Sequence, residues 1–264
     1  MPNANCRWFW NNLADAATLT ATDAAANFPV TNIQTTFRQE LWKSLNVTGA
    51  KTVTFNCGAV INLTACIIQD HNFTAAATVE LHGSTDNFAS SDVTLGTFTL
   101  TRVDNGNSIV VNPLVLFISL VSTYQYFQIK ITDAANPAVF VSIGRVFLGT
   151  YTETTPMNFM AGNSITPTSL SQVERSANGV VHVLKLPNYK IFDLSYHVVQ
   201  VTQKDAFRQI IDYVQIDLPL WCYLYPSDPG ADLYCIYCRF TKMPAQINVR
   251  YILWDFACQI AEDL

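Results

Sequence analysis

Asp70-His71 is the first place in this sequence where residue types suggest chemistry. A carboxylate beside an imidazole is half of a general-base arrangement. The other half is missing, because no Gly-x-Ser-x-Gly elbow occurs, and the pair reads more simply as a turn tied through its ring nitrogens. The remaining histidines, His82, His182 and His197, are scattered. His182 and His197 lie on neighbouring strand-like runs, and two imidazoles without a third ligand make a poor metal site. Cys235-Ile-Tyr-Cys238 has the spacing of a zinc knuckle or redox pair, but it sits in LYCIYCRF, which reads as a strand. Residues three apart on a strand face opposite sides, so the two sulfurs are expected to diverge. No carboxylate pair stands out for glycoside cleavage; Asp212 and Asp217 read as solvated. The ten glycines form no phosphate-cradling loop. No catalytic residue, metal ligand or cofactor is expected, and the protein is read as a non-enzyme. Trp8, Trp10, Trp42, Trp221 and Trp254 offer flat faces that suit a core, a sugar ring or a protein interface.

Composition narrows the classes. The chain has 264 residues, 50% apolar and 13% charged, with a formal charge of -5. That is enough apolar surface for a packed core and too little charge for a disordered chain. No Lys/Arg cluster occurs, so nucleic-acid binding is not expected. The longest apolar run, 114–121, falls short of the ~20 residues a membrane span needs, and no insertion is expected. The start, MPNANCRWFWNNLADAA, lacks the basic and apolar regions of a secretion signal. The expectation is a cytosolically made protein whose seven cysteines are reduced core thiols. The rival reading, a disulfide framework, lacks the export signal it needs.

Strand periodicity dominates. Residues 7–13 suit a first strand. Lys51–Asn56 alternates, Cys57-Gly58 breaks the run, and Ile61 to Ile67 alternates again. Strands are expected at 78–82, 93–103, 109–121, 126–131 and 139–148, with a hairpin turn at Asn105-Gly106. Residues 151–172 are polar, carry Pro156 and Pro167, and read as an extended arm or linker in which Met157, Phe159 and Met160 could dock on a neighbour. Beyond it, strands at 180–186 and 191–201 flank a turn at Pro187-Asn188. A capping box at Thr202–Asp205 opens a helix over 202–215 with one apolar stripe. Strands return at 220–225, 234–240 and 247–254. The expectation is a mainly β chain: an N-terminal jelly-roll β-sandwich over 1–150, the arm, then an antiparallel β-sandwich over 173–264 with one flanking α-helix.

From Trp42 to Gly149 the pattern resembles a discoidin, or galactose-binding-like, jelly roll. Trp42-Lys43-Ser44 is similar to that family's early W-x-S, and Val53–Gly58 to its next strand. Val79–Asp86 resembles the strand ending in a Ser-x-Asp turn, Tyr126–Ile131 the late "Y-φ-R-I" strand, and Ile143–Gly149 the closing one. Residues 8–150 also resemble tailed-phage virion proteins, through Phe28-Pro29-Val30-Thr31-Asn32-Ile33, Trp42-Lys43-Ser44 and Asp70-His71-Asn72-Phe73. The stretch Phe192–Tyr213, strand then helix, is similar to the building block of phage tail tubes. These resemblances imply a structural protein of a phage tail, at its tip, baseplate or a junction. Its partners would be copies of itself in a ring and other virion tail proteins, assembled in the host cytoplasm. The alternative they imply is a carbohydrate-binding module recognising a host surface glycan. Its ligand would meet the loops that carry Arg38, Trp42, Asp70, His71 and Phe73. A hydrolase of surface polysaccharide is a third reading and would need two carboxylates facing one cleft.

Overall fold

A computed structural model describes residues 5–100, 110, 113–154, 159, 163–226, 234–250 and 253–263. The described residues are mainly β, in antiparallel sheets, with one α-helix among them. The chain divides into two units. One is Asn11–Tyr151 together with residues 234–235; the other combines residues 5–10 with Thr152–Pro226 and residues 236–263. The expected arm over 151–172 is not a separate linker, since Thr152 onward belongs to the second unit, and the first residues of the chain change sides as well. Strand β1 (Arg7–Phe9) leaves the N-terminal unit and pairs with strands from beyond residue 151, because Trp8 and Phe9 are apolar on both faces and need cover on both.

The Asn11–Tyr151 unit runs through β2 (Thr18–Ala21), β3 (Trp42–Lys43), β4 (Lys51–Gln69), β5 (Thr78–Ser84), β6 (Val93–Thr97), β7 (Leu114–Thr132), β8 (Ser142–Ile143) and β9 (Arg145–Gly149). Short 3-10 turns occupy Leu13–Ala16 and Val30–Gln34. The main sheet has the order β2-β4-β7-β5-β6, with β9 beside β4, and β3 pairs with β8. Alternation fills the core as the sequence leads one to expect: Val53 and Phe55, Val79 and Leu81, Phe127, Ile129 and Ile131 are all fully buried. Burying each such side chain favours folding by roughly 2 kcal/mol.

Two expectations change. Cys57-Gly58 does not end a strand, and 109–121 and 126–131 are not separate strands. β4 and β7 each run 19 residues. Between the pairs Asn56↔Tyr126 and Ile61↔Tyr124, residues 57–60 bulge out opposite Gln125. Gly58 supplies the positive φ of 73° that this bulge requires. Asn56 Oδ1 holds it, accepting from the Gly58 N–H at 2.9 Å and from Gln125 Nε2 at 3.1 Å. The expected Asn105-Gly106 turn lies outside the described residues.

The second unit adds β10 (Thr152–Glu153), β11 (Ser164–Ser169), β12 (Gln172–Arg175), β13 (Val181–Leu184), β14 (Asn188–Gln200), α1 (Val201–Val214), β15 (Leu220–Tyr223), β16 (Cys235–Phe240), β17 (Ala245–Arg250) and β18 (Leu253–Glu262). Its sheet has the order β10-β1-β15-β16-β18-β14-β11, with β17 also on β18. Thus β10 and β11, placed by the sequence in an arm, are sheet strands. Met157 and Met160 lie outside the described residues; Phe159 packs edge-on against Tyr196 and Tyr225 of its own unit. No hairpin turns at Pro187-Asn188. β13 pairs with β12, and β14 with β11, so the chain passes through those residues along one two-stranded ribbon.

Helix α1 is nearly where its stripe places it, burying Phe207, Ile210, Ile211 and Val214. The expected capping box is absent, because Gln200 is the N-cap, with no side-chain capping bond, and Thr202 lies inside the helix. Phe207 stacks on Phe256 at 4.2 Å and meets Trp8 edge-on at 6.2 Å, while Trp8 stacks on Phe240 at 6.0 Å. Cys6 and Cys222 lie beside this aromatic core with sulfurs 3.6 Å apart. All seven cysteines are free thiols; six are buried and Cys57 is half-buried. His182 and His197 do not meet: His182 stands opposite Glu174, and His197 Nδ1 lies 2.8 Å from Asp255.

Candidate ligand-binding site

The residues singled out in the N-terminal half separate into two groups. Arg38 and Asp70 come together. Arg38 Nε and Nη2 each donate to one Asp70 oxygen at 2.7 Å, a forked pair whose side chains are 19% and 21% exposed. The fork ties the loop after Val30–Gln34 to the end of β4. Asp70 sits there at φ 55°, a left-handed conformation that Asp tolerates better than most residues. Gly144 lets the loops approach: a Cβ there would fall 2.8 Å from Asp70 Cβ and 3.2 Å from the Arg38 carbonyl oxygen.

Trp42, His71 and Phe73 belong to the other group. The discoidin resemblance implies a ligand-contacting surface for them; the structure buries them, and His71 ties its turn as its local sequence leads one to expect. Trp42 is fully buried, its indole N–H donating to the Asp23 carbonyl at 3.0 Å. Phe73 is fully buried with the His71 ring stacked on it at 4.7 Å. His71 Nδ1 accepts from the Phe73 N–H at 3.2 Å, which closes the turn locally. Burial disfavours the imidazolium and holds the His71 pKa down to about 4, against the pull of Asp70 beside it. His71 is therefore neutral near pH 7 and anchors its loop. Packed side chains of this kind have no face left for a ligand.

Their neighbours carry the surface. Strand alternation turns Lys43 outward from Trp42. Its ammonium lies 3.8 Å from the centre of the Phe28 ring and 5.1 Å from that of Phe140, an arrangement favoured by the negative faces of the rings. Phe140 is held from below: Asn72 Nδ2 donates to its carbonyl at 2.9 Å, and Asn72 Oδ1 accepts from the Ser142 N–H at 2.8 Å. Buried Asp133 continues the support, accepting from the Thr74 hydroxyl at 2.6 Å and from Asn136 Nδ2 at 2.9 Å. This network holds Val139 at φ 63°, unusual for a β-branched residue, with its side chain exposed. Phe37, next to Arg38, is 70% exposed.

The assembled surface therefore holds two half-buried rings with an ammonium between them, a forked guanidinium–carboxylate pair, and the exposed Phe37 and Val139. Sequence reasoning missed Phe28, Lys43 and Phe140. The signal for Lys43 was present, since a buried tryptophan on a strand turns its successor outward. Nothing in the sequence announces Phe140, which reaches Lys43 through the β3–β8 pairing. Among the described residues no group of three His, Cys, Asp or Glu side chains is placed to hold a metal ion.

No family model matches this sequence, and no curated protein matches it. Solved structures do. A chitosan-binding module of a chitosanase/glucanase from Paenibacillus sp. IK-5 is 15% identical, over 53% of this chain and 99% of the module, at a TM-score of 0.42. The family 32 carbohydrate-binding module of Clostridium perfringens NanJ, solved with galactose, is 14% identical over 55% of this chain and 99% of the module, at 0.41. A further Clostridium perfringens module, solved with GalNAc-β-1,3-galactose, is 10% identical over 53% of this chain and all of the module, at 0.41. At these scores and identities the likeness leaves function to be argued from this chain's own residues.

Proposed function

We propose that the Asn11–Tyr151 unit is a carbohydrate-binding module, with its ligand on the surface formed by Phe28, Phe37, Arg38, Lys43, Asp70 and Phe140. The observation that carries this reading is the placing of the Arg38–Asp70 fork and the Phe28–Lys43–Phe140 stack on neighbouring loops braced by buried anchors. A sugar presents an apolar C–H face and a rim of hydroxyls. Phenyl rings suit the first. Charged forks and ammonium groups suit the second, because hydrogen bonds to ionised groups are the stronger ones. Loops on a rigid β scaffold are a common place for such recognition. Affinity in the millimolar range is expected, about -4 kcal/mol.

The test is an NMR titration of the full chain with galactose and with N-acetylgalactosamine. Shifts confined to residues 28, 37–43, 70–72 and 139–140, lost in Lys43→Ala and Phe140→Ala, support the reading. No shifts with either sugar at about 50 mM, or shifts unchanged in both variants, overturn it.

A second reading is a structural component of a phage tail. Its source is the sequence resemblance of residues 8–150 and 192–213. What favours it in the geometry is the ribbon β12–β13, whose eight strand residues are all exposed, among them Val173, Val181, Val183 and Leu184. Cross-linking in a lysate of infected host cells tests it: links from Lys185 or Lys190 to a tail protein support it, and a protein missing from purified particles overturns it.

A further inference from the structure

Lys43 stands apart from the other described basic residues of the Asn11–Tyr151 unit. Arg38 is forked to Asp70, Lys51 Nζ lies 2.7 Å from Asp23, and Arg145 lies 2.6 Å from Asp15. Lys130 stands opposite Glu80 on the neighbouring strand. The Lys43 ammonium meets only the rings of Phe28 and Phe140 among the described residues. The acids on the loops around it are engaged elsewhere: Asp23 by Lys51, Asp70 by Arg38, and buried Asp133 by Thr74 and Asn136. Glu40, three residues earlier, is exposed and forms no ion pair among the described residues.

Aromatic faces hold an ammonium in place without discharging it, because a ring quadrupole carries no net charge. The positive charge is left over. It sits on a half-buried side chain, in surroundings partly emptied of water, where an opposite charge is worth more than in bulk solvent. The Arg38–Asp70 fork differs, since as a pair it is neutral. The surface therefore offers hydrogen bonds at the fork and one uncompensated positive charge between two rings. The chain as a whole carries a formal charge of -5, so its long-range field does not draw anions in. Any preference for an anion must come from contact with this one ammonium.

We propose that the ligand of this surface is an acidic sugar, one with a carboxylate at the edge of the C–H face that stacks on a ring. This inference rests on the sugar-binding reading above and narrows it. In a uronic acid, C6 is a carboxylate attached beside the C–H groups of one pyranose face. A pyranose laid on Phe28 or Phe140 brings that carboxylate to Lys43, which lies against both rings, and leaves hydroxyls for the fork. A neutral sugar makes the same stack and forgoes the charge-assisted bond. An amino sugar sets a like charge against Lys43 and is disfavoured.

NMR titration of the full chain with galactose, galacturonate and galactosamine, in about 20 mM and about 500 mM sodium chloride, tests it. In low salt galacturonate is expected to bind about fivefold more tightly than galactose, and galactosamine more weakly than either. Both differences are expected to shrink towards nothing in high salt, because only the charge term is screened. Acetate, which has no face to stack, is expected to bind at least about tenfold more weakly than galacturonate; equal binding marks a bare anion site and overturns the inference. Lys43→Gln keeps a donor on a similar stem without the charge, and is expected to bring the galacturonate-to-galactose ratio to about one. Should that variant bind neither sugar, Lys43→Arg decides: a ratio kept supports the role of the charge, and a ratio lost overturns it. A preference that survives high salt or Lys43→Gln also overturns it. Galactose shifts without a preference for galacturonate overturn this inference and leave the sugar reading in place; no shifts with any of the three sugars overturn both.

Discussion

Arg38 and Asp70 meet through two charge-assisted hydrogen bonds at a site about one-fifth exposed. Removing one partner strands the other against the loops it joined. Arg38→Ala is expected to lower stability by about 2 kcal/mol, read as a shift in the denaturation midpoint, and to abolish sugar-induced NMR shifts at residues 70–72. His71 acts through protonation. Its native pKa is depressed to about 4 by burial, while in the unfolded chain it titrates near 6.5. Above pH 6.5 neither state holds the proton and stability is full. As pH falls from 6.5 to 4 the unfolded chain takes up a proton that the native state refuses. Stability therefore declines through that window, by up to about 3 kcal/mol, and this contribution levels off below it. His71→Gln, which keeps an acceptor for the Phe73 N–H, is expected to flatten that part of the Tm-versus-pH curve. An unchanged slope would mean that the decline comes from carboxylates.

Helix α1 has a buried stripe but a poor start. Gln200 is its N-cap at φ -72° and ψ 160°, a capping backbone without a capping side chain, and no acidic residue occupies the first turn. Replacing Gln200 with Asp supplies an acceptor for the first helical N–H groups and a negative charge at the positive end of the helix dipole. A gain of about 1 kcal/mol in unfolding free energy is expected. A loss instead would mean that Gln200 is needed for its pairing with Leu253 at the end of β14. This element also illustrates what periodicity can and cannot give. Phe207, Ile210, Ile211 and Val214 stand three and four apart and identify the helix unaided. The cap depends on where β14 stops, and β14 stops where its partner β18 begins. The same holds for β4: Val53 and Phe55 are legible as core, yet Gly58 reads as a strand end because the opposite strand that makes it a bulge lies some 65 residues away.

On the scale of the molecule, β1 matters most for its size. Three residues long, it pairs with both β10 and β15 and brings Trp8 into the aromatic core beneath α1. Trp8→Ala is expected to cost about 3–5 kcal/mol in the unit that contains Thr152–Pro226. The Asn11–Tyr151 unit has its own buried core without this side chain. Thermal unfolding followed by tyrosine and tryptophan signals should then show one transition moved down and another in place; a single transition moving as a whole would show that the units unfold together.

Alternation, apolar content and dispersed turn residues were enough to specify a mainly β chain with one helix, because those signals reside in neighbours along the chain. Arg38 and Asp70 were singled out only through the discoidin resemblance, and their forked pairing came from the fold. Pairing over long separations decided the rest: β1 joining strands beyond residue 151, Trp42 and Phe73 turned inward, and Phe140 brought to Lys43. A strand has two edges and two faces, and its own sequence does not say which distant strand will cover them; that is settled only when the whole chain competes for the same buried surface.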